Sequence, residues 1–181
     1  MRGDAARIVV APLSALEGVA REARPEAVIS LMSTPDPVPT PAEVDPRRHL
    51  RLTFNDVVDA AAQSRGLVPP SRAHVGAILE AARNWTGTAP LLVHCWFGVS
   101  RSTAAAAIVL AALRPDLSAS RIAAELRAAA PFATPNARMI ALADAMIGRD
   151  GTLRAAIEAI GRGEECSQGV PFSLLVSGER P

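Results

Sequence analysis

The chain has 181 residues, a formal net charge of +1 and 20% charged residues, enough for one domain with a sizeable core and no need of covalent staples. All 19 Lys/Arg positions are arginine, scattered along the chain, and aromatics make up 3% with no tyrosine; this argues against a basic stripe or a base-stacking platform, and so against a nucleic-acid partner. The two cysteines, Cys95 and Cys166, build neither a disulfide framework nor a metal-ligand cluster, so no metal or cofactor is expected and a reducing, cytoplasmic setting is the plainer reading.

In chain order, Asp4 and Arg7 precede a very short apolar stretch, Ile8 to Leu13, which Ser14 and Glu17 interrupt; this is not the usual form of a signal peptide. Arg7 to Leu13 predicts a strand, Ser14 to Glu22 a short helix opened by a serine cap, and Ala27 to Ser33 a second strand. Five prolines between Thr34 and Pro46 (Pro35, Pro37, Pro39, Pro41 and Pro46) mark a long loop. His49 to Phe54 alternates as a third strand and ends at Asn55-Asp56. Ser71 caps a helix from Arg72 to about Trp85, and Pro90 to His94 reads as a buried strand.

The second half is helical: Ser102 to Leu113, Ser118 to Ala130, Asn136 to Ile147 and Asp150 to Ile160. Its longest apolar run, Ala104 to Leu113, is too short to span a bilayer and reads as a core helix, so no membrane partner is expected. Gly161, Gly163 and Gly169 loosen the chain before Pro171 to Val176, which is either an edge strand or an ordered tail. The pattern predicts an α/β three-layer sandwich with a largely parallel sheet of four to five strands flanked by helices. It is expected as a single domain over residues 1–181, with a core over about 7–147 and a C-terminal extension over 148–181. In such sheets ligands bind at the carboxyl ends of strands, where Cys95 and Asp56 both fall.

The run His94-Cys95-Trp96-Phe97-Gly98-Val99-Ser100-Arg101-Ser102 lies between strand and helix. In an arginine-rich chain that spacing alone is weak; Cys166 has Phe172 at the same offset. The setting adds weight, because a strand-to-helix turn presents backbone N–H groups to its own centre and the helix adds its positive end. Gly98 permits the bend, Arg101 grips two oxygens of an anion, and the same donors favour the thiolate of Cys95, a nucleophile. The Ser102 hydroxyl is placed to donate to that sulfur, and His94 is read as a structural hydrogen-bonder rather than a base. Trp96 and Phe97 either line the rim or, more in keeping with large apolar residues, lie buried under the loop.

This string, with Pro135-Asn136 downstream, resembles the signature of the protein tyrosine phosphatase superfamily, in its compact dual-specificity-like branch. The likeness runs strongly over about residues 49 to 147. It implies the fold of that branch and hydrolysis of phosphomonoesters through a cysteinyl-phosphate, with phosphoproteins or small phosphomonoesters as substrates and phosphate, sulfate or vanadate as site ligands. It implies that the loop residues 96–101 hold the phosphoryl group and that Asn136 braces the site loops. The resemblance also implies a general acid, for which Asp56, at the end of a strand, is the candidate and Asp59 the alternative; Asp56 also has the position of an N-cap for a turn over Val57 to Ala62. Lysine-free loop positions Trp96, Phe97 and Val99 argue against a highly charged inositol phosphate. The competing readings are a non-catalytic phosphate-binding module and a rhodanese-like sulfurtransferase. Cys166 is read as an inert tail thiol in preference to a partner of Cys95, and His49 and His74 have no assigned role.

Overall fold

The structure, a computed structural model, describes residues 6–35 and 38–176, so Asp4 and Pro37 lie outside the described residues. Five strands, β1 (Arg7–Pro12), β2 (Ala27–Met32), β3 (His49–Thr53), β4 (Leu91–Cys95) and β5 (Phe172–Leu175), form one sheet in the order β3-β2-β4-β1-β5. Neighbours among the first four run parallel, and β5 adds antiparallel to β1. The central strands are apolar on both faces, as parallel strands covered by helices must be. Ile8, Val10, Ile29, Leu31, Leu91 and Val93 face one core, whereas Val9, Ala11, Val28 and Leu92 face a second.

One helix, α1 (Leu16–Ala23), covers the second face together with Val38 and Val44 of the proline-rich loop. The first face carries α2 (Arg72–Asn84), α3 (Arg101–Leu113), α4 (Ala119–Ala129), α5 (Ala137–Ile147) and α6 (Thr152–Ala159). The three layers and mostly parallel sheet match the expected class. Helix α3 is buried from Arg101 through Ala111, so it lies at the centre of the helical layer, between the sheet and α2, α4 and α5. A helix apolar on all sides belongs there. Its Ala104 to Ala107 run lets the backbones approach closely, with no polar group to satisfy. No helix among the described residues is long and apolar enough to cross a membrane.

Four local expectations need correction. Ser14 opens no helix: it sits in a 3-10 turn, Leu13–Ala15, and α1 begins after Ala15 without a side-chain cap. Helix α6 starts at Thr152 rather than Asp150, because Asp150 and Gly151 both have left-handed φ. The buried Asp144 carboxylate accepts from Gly151 N and Arg154 N there, supplying the missing cap. His74, given no role from sequence, reciprocates the Ser71 cap and stacks on Phe54 with ring centroids 4.7 Å apart.

The fourth concerns two of the tail glycines, Gly163 and Gly169, which fit tight contacts rather than loosen the chain, whereas Gly161 has open space around it and a left-handed φ. A Cβ on Gly163 would stand 2.3 Å from the Phe132 backbone, and one on Gly169 would stand 2.5 Å from the Phe132 ring. Glu164 N donates to Pro131 O, Gly163 N to Thr134 Oγ1, and Gly169 N to Phe97 O. The segment after α6 therefore passes against the Cys95 loop before closing the sheet edge as β5, so that the edge strand expected over 171–176 forms over Phe172–Leu175.

Candidate active site

Cys95 ends β4 and Arg101 begins α3, so the loop Trp96 to Ser100 spans the carboxyl edge of the sheet. The loop's carbonyls are taken from outside. Trp96 O accepts from Leu13 N, Phe97 O from Gly169 N, Val99 O from Thr134 N, and Ser100 O from Ala104 N; Thr103 Oγ1 adds bonds to Val99 O and Ser100 O. Because each peptide is planar and trans, a carbonyl turned outward turns the following N–H inward. The amides of Phe97, Gly98, Ser100 and Arg101 thus converge on the hollow in front of Cys95, an anion nest in the backbone itself.

Gly98 is fixed in this loop twice over. Its φ is +69°, and a Cβ there would stand 2.9 Å from Pro12 N and 3.2 Å from Ala11 C, at the end of β1. Backbone cannot yield as a flexible side chain would. Gly98→Ala should therefore displace the loop and weaken its binding of an inorganic oxyanion such as vanadate by about tenfold or more, because the backbone donors move off their positions. Retention of wild-type affinity in calorimetry would contradict this geometry.

The Cys95 thiol is almost wholly buried, with Sγ 3.2 Å from Ser102 Oγ. Arg101 is 3% exposed, and among the described residues no carboxylate pairs with it. Its Nη1 donates to Ser33 Oγ at 2.9 Å and Phe54 O at 2.8 Å, fixing the side chain against the ends of β2 and β3. Nε is buried with no protein partner. A buried, unpaired guanidinium is costly unless an anion answers it, and the edge left open is the one that grips two oxygens side by side.

The two acid candidates have different surroundings. Asp56 Oδ1 accepts from Ser100 Oγ at 2.8 Å and from Asn136 Nδ2 at 2.7 Å. Asp59 Oδ1 instead accepts from Ala61 N at 2.8 Å and caps the 3-10 helix Ala60–Arg65. The turn expected over Val57 to Ala62 with Asp56 as its cap does not form; the cap is Asp59, one turn later. Asn136 joins three pieces. Its Oδ1 caps α5 through Met139 N, its Nδ2 holds Asp56, and its backbone N reaches Ser100 O.

Trp96 and Phe97 are exposed, at 38% and 59%, and not buried under the loop as large apolar residues would ordinarily be. The space beneath the loop is taken by the end of β1 and by the tail, leaving both side chains on the surface. Val99 and Ser100 border an open cleft whose far wall carries Arg162, Glu164 and the exposed Cys166. Across Ser100 and Thr134 that cleft meets a second hollow edged by Asp56, Asp59 and Arg65.

His94 is fully buried and points to the opposite face of the sheet from Cys95, where Nε2 lies 2.5 Å from Ser30 Oγ; that hydroxyl also contacts His49 Nε2 at 2.6 Å. Burial pushes both imidazoles down to about 4, aided by Arg51 and His94 for His49 and by Arg101 for His94. The unfolded chain takes up these protons near 6.5 and the folded chain does not, so the stability they confer is complete above pH 6.5 and lost as pH falls toward 4. Thermal midpoints should fall across that window, and less steeply in His49→Phe; a flat profile would contradict the assignment.

Ser33, Ser30 and the Ser100 contact with Asp56 escaped the sequence reading. Ser30 left a trace as the one polar residue within an otherwise apolar β2. Ser33 and the Ser100 contact left none, because they arise from the packing of distant segments.

No protein-family model matches the chain, and no curated protein matches it in sequence. Solved structures do match its fold. The PTP-2 phosphatase of Cydia pomonella aligns with TM-score 0.56 and 15% identity over 75% of this chain and 83% of its own. DUSP15 aligns with TM-score 0.55 and 17% identity over 91% of this chain and 97% of its own. The Yvh1 phosphatase domain of Chaetomium thermophilum aligns with TM-score 0.55 and 19% identity over 84% of this chain and 96% of its own. The fold is thus that of the protein tyrosine phosphatases, in the compact form of the dual-specificity enzymes.

Proposed function

We propose that the protein is a metal-independent, cysteine-dependent phosphatase of dual-specificity type that hydrolyses phosphomonoesters through a cysteinyl-phosphate. The observation that carries this reading is the buried Arg101 with its unpaired Nε beside the Cys95–Ser102 pair, in a loop whose carbonyls turn away from its centre.

In the reaction, Arg101 and the loop amides hold the equatorial phosphoryl oxygens while Cys95 Sγ attacks phosphorus in line. Asp56 delivers a proton to the departing oxygen; its tie to Ser100 and Asn136 keeps it at the loop while Asp59 stays engaged as a cap. The Asp56 carboxylate then takes a proton from water, which attacks the phosphoryl group. Sulfur leaves as thiolate, stabilised by the Ser102 hydroxyl.

The cleft is open on both sides of Ser100 and Thr134, with Trp96 and Phe97 exposed on the same loop. That shape suits a phosphorylated side chain on a protein as well as a small phosphomonoester. A reducing, cytoplasmic compartment keeps such a thiol active. The test is hydrolysis of p-nitrophenyl phosphate in the presence of chelator, inhibited competitively by vanadate. No turnover, with vanadate or phosphate still bound, would instead identify a phosphate-binding module; thiosulfate sulfurtransfer would identify a rhodanese-like enzyme.

A further inference from the structure

Six large apolar side chains stand exposed among the described residues, and five of them gather at one end of the molecule: Trp96 and Phe97 on the Cys95 loop, Val58 and Val68 on the segment that carries Asp56, and Val170 in the tail. The sixth, Leu175, lies at the opposite end of the sheet, paired with Arg7. Hydrogen bonds set the five around one hollow. Gly169 N donates to Phe97 O, which brings Val170 beside Phe97. Val68 is joined to Asn55 through both its backbone N and O, next to Asp56, whose carboxylate reaches Ser100. Single exposed apolar residues are ordinary, whereas a group of them around a recognition site marks a contact surface. The aromatic rings make the same point. Phe54, Trp85, Phe132 and Phe172 are buried, so the two Phe and Trp rings left in solvent are sequence neighbours that directly follow Cys95.

The form of this collar selects the kind of surface it meets. Neither of the two clefts beside the loop is lined by Trp96, Phe97, Val68 or Val170. These side chains stand in solvent without enclosing a hole, which suits entry into a soft apolar medium better than reception of a single side chain from a partner. Trp85 Nε1 donates to Ala89 O, whereas Trp96 Nε1 has no partner among the described residues. The Trp96 indole thus keeps an apolar body and a wet tip, the combination that places tryptophan at membrane–water boundaries. Charge is not what holds such a contact. Arg65 and Arg162 edge the clefts, but so do Asp56, Asp59, Glu164 and Glu165, and attraction to an anionic surface needs a basic cluster. Apolar contact and the phosphoryl site at its centre are left to do it.

We propose that this end of the molecule rests on a lipid surface and takes its substrate from there, a phospholipid that ends in a phosphomonoester as phosphatidate does. The proposal rests on the phosphatase reading for its chemistry. Cys95 Sγ takes the phosphoryl group, the lipid oxygen receives the Asp56 proton and leaves as an alcohol, and water then releases phosphate and restores the thiolate. Trp96, Phe97 and the three valines enter the boundary layer and set the hollow at the depth of the head groups. The contact is that of a protein lying on a membrane, for which no spanning helix is needed.

The experiment uses vesicles of phosphatidylcholine and phosphatidate in about a nine-to-one ratio, made with and without lipids brominated along the acyl chain. Trp96 is the reporter, because Trp85 is buried beside Glu26 and Ala27 at the other end of the sheet. On the vesicles the unmodified protein should show a blue shift of tryptophan emission, quenching by the brominated lipid and release of phosphate from phosphatidate. Val170→Asp should weaken the quenching and cut phosphatidate hydrolysis by about tenfold or more, because a carboxylate resists the boundary layer. Its kcat/KM for soluble p-nitrophenyl phosphate should stay within about twofold of the parent, since Val170 is exposed and outside the Cys95 loop. Val68→Ser should act in the same direction more weakly, and it decides the matter if Val170→Asp does not fold. In a protein that hydrolyses p-nitrophenyl phosphate, absence of quenching or of phosphate release from the vesicles overturns the lipid inference and leaves the phosphatase reading standing. Hydrolysis of phosphopeptides with apolar flanks that Val170→Asp weakens, with no response to vesicles, also overturns it and puts a protein on this surface. Quenching without turnover of either substrate keeps the lipid contact and sinks the phosphatase reading.

Discussion

Cys95→Ser is expected to abolish hydrolysis of p-nitrophenyl phosphate, with a loss of about ten-thousandfold or more in kcat, while vanadate or phosphate still binds. The size follows from removing a nucleophile that carries a whole covalent step. The retained binding follows from the anion site being built of other atoms: the loop amides, whose orientation the outward carbonyls fix, and Arg101, anchored by Ser33 and Phe54 O. The substitution exchanges one small, buried side chain for another beside Ser102, so the loop should keep its shape. Equal loss of binding, read by calorimetry or by protection against thermal unfolding, would mean that the loop and not the sulfur had been damaged. Undiminished turnover would remove Cys95 from the chemistry.

Asp56→Asn is expected to have the second largest effect, and its signature is the leaving group. Asparagine keeps an acceptor for Ser100 and Asn136 but has no proton to deliver. With phenyl phosphate, whose oxygen leaves poorly, kcat should fall by about a hundredfold to a thousandfold. With p-nitrophenyl phosphate the first step should be affected far less. Asp59→Asn should leave both substrates within about twofold, because asparagine caps the 3-10 helix Ala60–Arg65 about as well as aspartate. The opposite pattern, with Asp59→Asn the damaging change, would transfer the acid role to Asp59.

How far the sequence reached depends on how local each feature is. The strands β1, β2 and β4 follow from runs that are apolar but for Arg7, Ser30 and His94, and β3 from the alternation of His49, Arg51 and Thr53 with Leu50 and Leu52. The order of helices was legible for the same reason, and Cys95, Gly98, Arg101 and Ser102 fall within one turn of chain, so their spacing alone brought them together. The tail misled because a glycine needed for flexibility and one needed for contact look alike; only the Phe132 backbone beside Gly163 tells them apart. For Trp96 and Phe97 size favours burial under the loop over the rim, but the end of β1 and the tail already fill that space and both are exposed. The Asp56 tether and the Ser30–His94 contact depend on register between strands and on loops meeting over 40 or more residues, which no local pattern encodes.

The most direct measurement of the central claim is rapid-quench mass spectrometry of Asp56→Asn turning over p-nitrophenyl phosphate. With a good leaving group the first step needs little acid assistance, whereas hydrolysis of the intermediate lacks its base, so the intermediate should accumulate. The account predicts one phosphoryl group on the peptide containing Cys95 and none on the peptide containing Cys166. Steady release of phosphate with Cys95 unmodified throughout would contradict it.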